Sequence, residues 1–215
     1  MIFIDLDNTL YNQEQILRYA FGKISEELKK EFNLNKSKTF RYLLNLVKKK
    51  TLRYKIFDDL VSKFNLEISS EELVKLYREF NLEFLKNKKI ELYKSALDVL
   101  NNDNLTVYTE GNREIQEEKI KNIMKNYGVR FNYIIVRDKL DENNRKYFEE
   151  YKVKAYIGDD PLADFLIPNK LGIITVRVLA GLYRRIPNES VKEEYKPKIT
   201  IRNLKGLRKV LQSMK

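Results

Sequence analysis

The chain of 215 residues contains no cysteine and no histidine. These two absences exclude disulfides, cysteine nucleophiles, Ser/His/Asp triads and phosphohistidine chemistry, and they remove nearly every kind of zinc site. Any catalysis must therefore use carboxylates, lysines, hydroxyls or backbone amides. Carboxylates without imidazole suit a hard, oxygen-preferring cation such as Mg²⁺.

Glycine and proline are also scarce, with 7 and 4 residues, so no flexible linker is expected. The apolar runs are only a few residues long, far shorter than a helix that crosses a bilayer. The stretch from Met1 to Leu6 is too short for a secretory signal. We therefore expect a cytoplasmic protein with no membrane partner, either a monomer or a homodimer.

Charge, by contrast, is abundant, because 42 Lys and Arg against 31 Asp and Glu give a formal net charge of +11. Basic proteins attract polyanions, so a nucleic-acid partner has to be weighed. The lysines are interleaved with acidic residues at helical spacing along most of the chain, which is typical of a solvated surface. A solvated lysine-rich surface is therefore the simpler explanation of the charge, attraction of anionic substrates is a milder functional one, and a nucleic-acid partner is not expected.

The pattern of apolar and polar residues changes twice along the sequence. Residues 1–12 begin as a buried strand and end in acidic residues, residues 13–87 show helical periodicity, and short strands alternate with helices over residues 88–215. Alternating strands and helices predict a parallel sheet with right-handed crossovers. The predicted fold is therefore α/β, with a Rossmann-like parallel sheet core (1–12 and 88–215) and a small all-helical cap domain (13–87) inserted after the first strand.

Apolar spacing and capping signals place the individual elements. The predicted strands are Met1–Ile4, Leu105–Tyr108, Tyr133–Val136, Ala155–Ile157, Ile173–Val178 and Ile199–Ile201. The predicted core helices are Ala96–Leu100, Glu114–Met124, Glu142–Tyr151 and Leu204–Met214. In the insert, the predicted helices are one along the stripe from Ile16 to Leu28, Thr39–Lys49, Arg53–Phe64 and one opened by a capping-box pattern at Ser69.

Two acidic clusters follow predicted strands. Asp5 and Asp7 stand two residues apart, so in an extended chain their side chains point the same way and repel unless a cation or proton separates them. The second cluster, Gly158 to Asp164, follows the Ala155–Ile157 strand. Each cluster alone is explained equally well by a polar turn, the second with Pro161 opening a helix that Asp160 caps. Together they indicate a shared cation, because strand ends in one parallel sheet lie along the same edge.

Two further residues follow strands between these clusters. Thr109 ends a strand just before Gly111 and a predicted helix, which offers a hydroxyl and backbone amides to an anion. Lys139 follows the next strand and can reach the same edge as a fixed positive charge. Lys146, one helix later, is the alternative lysine. Each signal is weak alone, because threonine and lysine are common at such places.

The four elements, in this order, resemble the four motifs of the haloacid dehalogenase-like (HAD) hydrolase superfamily. Motif one resembles Asp5 to Thr9, motif two Thr109, motif three Lys139, and motif four Gly158 to Asp164. The resemblance spans nearly the whole chain and includes a helical insert where the superfamily's type-one caps occur. In place of the asparagine that many members have after the motif-two hydroxyl, this chain has Glu110.

The resemblance implies a role for each motif residue. Asp5 would be the nucleophile that forms an aspartyl-phosphate, and Asp7 the general acid and base. The Asp7 carbonyl and the carboxylates of Asp5 and Asp159 would hold Mg²⁺. Thr109 and backbone amides near Leu6, Asp7 and Glu110 would bind the phosphate oxygens. Lys139 would hold the nucleophile and neutralise charge on the transferring group. Asp160 and Asp164 would support the metal site from behind its ligands, or one of them would itself be a ligand.

The function expected from this resemblance is a magnesium-dependent phosphatase that acts on a small phosphorylated metabolite. A basic nucleic-acid-binding or regulatory protein of the same fold without turnover is the alternative from another class, supported by charge and by aromatics beside lysines at residues 38–42 and 53–55. A phosphomutase and a dehalogenase are the alternatives within the superfamily. The presence of Asp7 disfavours the dehalogenase, which needs no second motif-one aspartate.

Overall fold

The computed structural model describes residues 1–49 and 55–212. The chain divides into two compact units: Met1–Gln13 with Lys89–Lys215, and Glu14–Lys88. The first is built around a sheet and is called the core unit below. The second consists of helices and is called the helical unit.

The core unit contains a six-stranded sheet in the order β3-β2-β1-β4-β5-β6, in which every pairing is parallel. The strands are β1 Ile2–Ile4, β2 Leu105–Glu110, β3 Asn132–Val136, β4 Ala155–Gly158, β5 Ile174–Val178 and β6 Ile199–Ile201. The chain order reverses between β1 and β4, which is where ligands bind in open sheets of this kind. The predicted Rossmann-like α/β class is confirmed, and each predicted strand is present to within two residues at either end.

Helices in the core unit follow the strands as the crossover rule requires. They are α5 Ala96–Leu100, α6 Arg113–Tyr127, α7 Arg145–Glu150, α8 Leu166–Lys170 and α9 Lys205–Gln212, with short 3₁₀ helices at Glu142–Asn144, Asn188–Ser190 and Glu193–Tyr195. Three expectations were wrong in detail. The helix expected from Glu142 begins as a 3₁₀ turn, Pro161 opens a turn instead of a helix, and α8 was not predicted. The predicted end at Met214 lies outside the described residues.

An aromatic cluster packs on one face of the core sheet. Phe3 stacks on Tyr108 with ring centroids 5.3 Å apart, and Phe148 and Tyr156 contact Tyr108 at 5.3 and 6.0 Å. Phe165 then packs edge-on against Tyr156 at 6.3 Å. These rings are all fully or nearly fully buried. Since large buried rings fix their neighbours through many contacts, the cluster holds β1, β2 and β4 in register beneath their carboxyl ends.

The helical unit contains α1 Glu14–Phe32, α2 Lys36–Lys48, α3 Ile56–Phe64 and α4 Ser70–Asn87. Along α1 the expected apolar stripe is buried, from Ile16 and Leu17 to Leu28. The predicted helix start at Arg53, and Tyr54 beside it, lie outside the described residues. No helix among residues 1–49 and 55–212 is both long enough and apolar enough to span a membrane.

A capping box begins α4, as its sequence predicts. The Ser69 hydroxyl accepts a hydrogen bond from the Glu72 backbone N–H at 3.1 Å, and the Glu72 carboxylate accepts one from the Ser69 N–H at 3.0 Å. Two backbone donors that the helix leaves unpaired are thereby satisfied.

We expect Ser69→Ala to lower the free energy of unfolding by about 1 kcal/mol, because one of these donors loses its partner. Urea denaturation followed by circular dichroism measures the change. Ser70→Ala is the matched control, since Ser70 is the first residue of the helix and not its cap. A loss of equal size in both variants would contradict the capping role.

Candidate active site

The acidic ends of β1 and β4 lie side by side, because these two strands are neighbours in the sheet. The backbone N–H of Asp5 donates to the Ile157 carbonyl at 2.8 Å, which fixes the first residue after β1 against the end of β4. Asp159 follows β4 directly. The structure therefore brings the two predicted acidic clusters together at one edge.

Three carboxylates form the centre of this site. Oxygen atoms of Asp5, Asp159 and Asp164 all lie within 4.8 Å of one another, and the three residues are only 5, 2 and 2% exposed. Burying several carboxylates so close together is unfavourable unless positive charge compensates them. The cluster thus requires a cation, a shared proton, or both.

One compensating charge comes from Lys139, which is also buried. Its ammonium donates to the Asp5 carboxylate and, at 2.6 Å, to Asp164. Tyr156 donates to the same Asp164 oxygen at 2.9 Å. Lys139 therefore supplies one positive charge to three carboxylates, and the cluster retains an excess of acid.

The pKa values reflect this excess. Burial raises the pKa of Asp5 to about 7, even though Lys139 acts to lower it. Burial, followed by repulsion from Asp164 and Asp5, raises the pKa of Asp159 well above its ordinary value. For Lys139, burial alone would lower the pKa, but Asp164 and Asp5 outweigh it and raise the pKa well above the usual value. Lys139 is therefore a permanent cation beside acids that hold protons tightly.

Among the buried side-chain atoms that have no hydrogen-bond partner within the described residues, two lie at the ends of β4 and β2. One is Oδ2 of Asp159 and the other is the hydroxyl oxygen of Thr109, which is 1% exposed. Buried polar atoms are normally paired, so each such atom calls for an explanation. A carboxyl oxygen and a hydroxyl left open in this way suit a cation and an anion respectively.

Thr9 links the two acidic strand ends. Its buried hydroxyl lies 3.2 Å from an Asp5 oxygen and 3.4 Å from an Asp159 oxygen, so it can donate to either. Gly158 has a steric role beside it, because a Cβ at that position would lie 2.2 Å from the carboxylate of Asp164. Only glycine leaves Asp164 in its place.

Asp7 is held by a separate set of donors. Lys119 lies 2.8 Å from both carboxylate oxygens, Gln116 donates to Oδ2 at 3.0 Å, and the Tyr11 hydroxyl donates to Oδ1. Burial alone would raise the pKa of Asp7, but the charge of Lys119 and the hydrogen bonds from Lys119, Tyr11 and Gln116 together lower it below the ordinary value. Asp7 is therefore a carboxylate in this arrangement.

The other predicted site residues occupy different places. Glu110 turns its carboxylate to the backbone N–H of Lys139 at 3.0 Å, which ties the end of β2 to the loop after β3. Asp160 accepts from the Leu162 N–H at 2.9 Å and stands outside the carboxylate cluster. Lys146 is exposed and lies over the Tyr147 ring. Of the two candidate lysines, it is Lys139 that reaches the cluster.

Leu6 contributes its backbone to the turn after β1, where its carbonyl accepts from Leu10 N–H at 3.0 Å. Its side chain is fully buried. The hydrogen bond that closes this turn, from Leu10 to Leu6, shows that the acidic stretch is a folded turn as well as part of the cluster. The two interpretations of Asp5 and Asp7 were therefore not exclusive.

Arg177, on β5, is a fully buried cation that donates mainly to backbone carbonyl oxygens. Its guanidinium donates to the Asp159 carbonyl at 3.3 Å, the Ile186 carbonyl at 2.8 Å and the Tyr183 carbonyl at 2.8 Å, and also to the Asn188 side chain. The loop after β4 is thereby tied to the segment that follows β5.

Sequence reasoning assigned no role to several residues that the structure places here. They are Thr9, Tyr11, Gln116, Lys119, Tyr156 and Arg177. A signal existed for Lys119, since it shares a buried face of α6 with Gln116, Ile120 and Ile123 at helical spacing. A lysine in such a stripe needs a buried acidic partner.

Comparison with solved structures shows that this chain has the fold of several HAD-like hydrolases. No protein-family model and no curated protein matches the chain. Solved structures do match it over nearly its full length, and because their sequence identity is low, the match shows the fold alone.

Three of these structures illustrate the similarity. The putative HAD-hydrolase YfnB from Bacillus subtilis, bound to magnesium, has a TM-score of 0.64 and 19% identity, with 98% of this chain and 97% of that chain covered. A putative beta-phosphoglucomutase from Thermotoga maritima gives 0.69 and 12%, covering 100 and 99%. CbbY from Rhodobacter sphaeroides, in complex with phosphate, gives 0.61 and 15%, covering 96 and 95%.

Proposed function

We propose that this protein is a magnesium-dependent phosphatase of the HAD superfamily that hydrolyses a small phosphorylated metabolite through an aspartyl-phosphate on Asp5. The observation that carries the proposal is the buried cluster of Asp5, Asp159 and Asp164 around Lys139, in which one Asp159 oxygen has no partner among the residues described. Two structures of the same fold support it, since YfnB is bound to magnesium and CbbY to phosphate.

The residues present fit Mg²⁺. The unpaired Oδ2 of Asp159, the Asp5 carboxylate and the Asp7 carbonyl are hard oxygen donors of the kind that this ion takes. Asp164 already accepts from Lys139, Tyr156 and the Asp160 N–H, so its role is to hold Lys139. When bound, the ion would neutralise the excess acid and charge on the phosphoryl oxygens.

Asp5 would attack phosphorus with one carboxylate oxygen, forming an O–P bond as the bond to the leaving alkoxide breaks. Lys139, fixed between Asp5 and Asp164, would hold the nucleophile and neutralise charge that develops on the transferring group. The open hydroxyl of Thr109 would donate to a phosphoryl oxygen, which explains why a buried donor lacks a partner in the part of the chain that is described.

Asp7 would move protons in both halves of the reaction. In the first it would give a proton to the leaving oxygen, and in the second it would take one from the water that attacks the aspartyl-phosphate, which restores the proton for the next leaving group. The charge of Lys119 and the hydrogen bonds that lower the pKa of Asp7 favour the carboxylate form that the second role needs. The resulting phosphate leaves with the water oxygen, and Asp5 returns as a carboxylate.

We also infer that the helical unit acts as the cap. It is inserted between the motif-one turn and the strand that carries motif two, which is the position of type-one caps in the superfamily that this chain resembles. Cap side chains would then select the leaving group and exclude water during transfer.

The proposal predicts release of inorganic phosphate from p-nitrophenyl phosphate and from members of a panel of phosphorylated metabolites in the presence of Mg²⁺. Phosphate release and p-nitrophenolate absorbance measure the activity. Excess EDTA should abolish it, and Ca²⁺ should substitute poorly because its larger, looser coordination shell would misplace the attack.

Other outcomes would point elsewhere. Full activity in excess EDTA would remove the metal from the mechanism. Salt-dependent binding of RNA or DNA without any phosphate release would favour a basic nucleic-acid-binding protein of the same fold. Isomerisation of a sugar phosphate without net phosphate release would indicate a phosphomutase.

A further inference from the structure

Only two lysines are buried among the residues whose side chains the structure describes, and each holds one of the two aspartates of the turn after β1. Lys139 pairs with Asp5, and Lys119, which is 3% exposed, pairs with Asp7. A buried ammonium is strongly unfavourable unless it is charge-paired and hydrogen-bonded. Because the lysines of the chain other than these two, where their burial is described, lie at least partly at the surface, the burial of Lys119 indicates that its contact with Asp7 has a specific role.

The contact geometry shows what Lys119 does to Asp7. Its ammonium lies 2.8 Å from Oδ1 and 2.8 Å from Oδ2, so it bridges the two oxygens instead of binding one. A water that approaches one oxygen need only shift the ammonium toward the other, and the charge stays paired. Tyr11 and Gln116 each donate to one of these oxygens as well, so Lys119 can keep the carboxylate charge-paired whichever oxygen accepts a proton.

Gln116 completes this arrangement from the same helix face, three residues earlier. Its amide donates to Asp7 Oδ2 at 3.0 Å and to the Glu110 carbonyl at 2.6 Å. A side chain at Gly111 would collide with that amide, since a Cβ there would lie 2.9 Å from Gln116 Nε2. The absence of a side chain at Gly111 therefore leaves room for the Gln116 amide that donates to Asp7.

Without Lys119, Asp7 would be a buried carboxylate near the acidic cluster, and Asp5 and Asp7 act on each other as like charges. Only the neutral donors Tyr11 and Gln116 would then hold the carboxylate, and its direction would be less firmly fixed. Proton transfer depends on a base held within hydrogen-bond reach of the attacking water.

We propose that Lys119, supported by Gln116, is a positioning residue that holds the Asp7 carboxylate in the direction needed for hydrolysis of the aspartyl-phosphate. In that step the water oxygen bonds to phosphorus, the P–O bond to Asp5 breaks, and the water proton passes to Asp7. The inference rests on the proposed phosphatase function, and it concerns the second half of the reaction.

Lys119→Met with p-nitrophenyl phosphate as substrate tests this assignment. Because p-nitrophenolate leaves without needing a proton, capture of the phosphoryl group by Asp5 should proceed almost as in the wild type, and kcat/KM should change little. Hydrolysis should slow by about 10²-fold or more, within the range typical of general acid-base catalysis. We therefore expect kcat and KM to fall together, a burst of p-nitrophenolate, and accumulation of protein heavier by one phosphoryl group in intact-mass spectra.

Lys121→Met is the matched control, because Lys121 lies on the same helix but is exposed and pairs only weakly with Glu118 at the surface. It should behave as the wild type. Gln116→Met removes one donor to Asp7 and should give the same kinetic pattern to a smaller extent. A thermal melt shows whether Lys119→Met folds. If it does not fold, Gln116→Met is the variant that tests the positioning role.

Equal losses of kcat and kcat/KM with no phosphorylated protein would overturn the positioning role, because a general structural defect affects both steps. Unchanged kcat in a folded variant would overturn it as well. A wild-type protein that neither hydrolyses p-nitrophenyl phosphate nor becomes phosphorylated would instead reject the proposed function, so the two failures are distinguishable.

Discussion

Asp5→Asn should abolish phosphate release while leaving the fold intact. The amide has nearly the shape of the carboxylate but lacks the nucleophilic oxygen, and phosphate monoesters are so unreactive that enzymes lower the barrier by about 20 kcal/mol or more. Removing a nucleophile elsewhere costs on the order of 10⁶-fold in kcat, and we expect a loss of similar size. Lys139 keeps its partner Asp164 in this variant.

Phosphate release from p-nitrophenyl phosphate measures the effect, and intact-mass spectra should show no phosphorylated protein. Asp98→Asn is the matched control, since Asp98 is exposed on α5 in the same unit. An Asp5→Asn variant with activity close to that of the wild type would show that another residue attacks phosphorus.

Asp159→Asn should remove the response of the protein to Mg²⁺. In the wild type, Mg²⁺ at about 100 times its dissociation constant would stabilise the folded state by about 2.7 kcal/mol. For a chain of this length, that corresponds to a rise in melting temperature of about 5 to 10 °C. Among the described residues, the variant loses the one buried carboxylate oxygen that has no partner, so Mg²⁺ should no longer raise its melting temperature and turnover should fail.

The same variant has a second expected property. In EDTA it should melt at a temperature no lower than that of the wild type, because it removes one acidic group from a buried cluster with too few cations. Asp103→Asn, at an exposed position, is the control and should keep the Mg²⁺ response. An unchanged Mg²⁺-induced rise in the Asp159→Asn melting temperature would place the ion elsewhere.

The sheet could be predicted from the sequence because its strands are short apolar runs bounded by polar residues. The acidic residues that follow two of these strands mark one edge of the sheet. The 3.6-residue stripe from Ile16 to Leu28 likewise identified α1. Parallel pairing of β1 with β4 then brings Asp5 to Asp159 without further information. These features depend on local periodicity and on a topology rule that has few exceptions.

What the sequence left open depends on contacts between residues far apart in the chain. The pairing of Lys119 with Asp7 spans 112 positions, and the contact of Lys139 with Asp5 spans 134. Nothing local distinguishes these lysines from the many at the surface, except that Lys119 falls on an apolar helix face. Helix α8 was missed for another reason, since Pro168 lies inside its five residues and proline argues against a helix interior.

The buried guanidinium of Arg177 has a consequence for how this chain can diverge. Its bonds to residues 159, 183 and 186 all end on main-chain oxygens, and main-chain oxygens are the same whatever side chain a residue carries. Mutations at positions 183 and 186 therefore need not remove these hydrogen bonds, whereas replacement of the arginine would remove all of them at once.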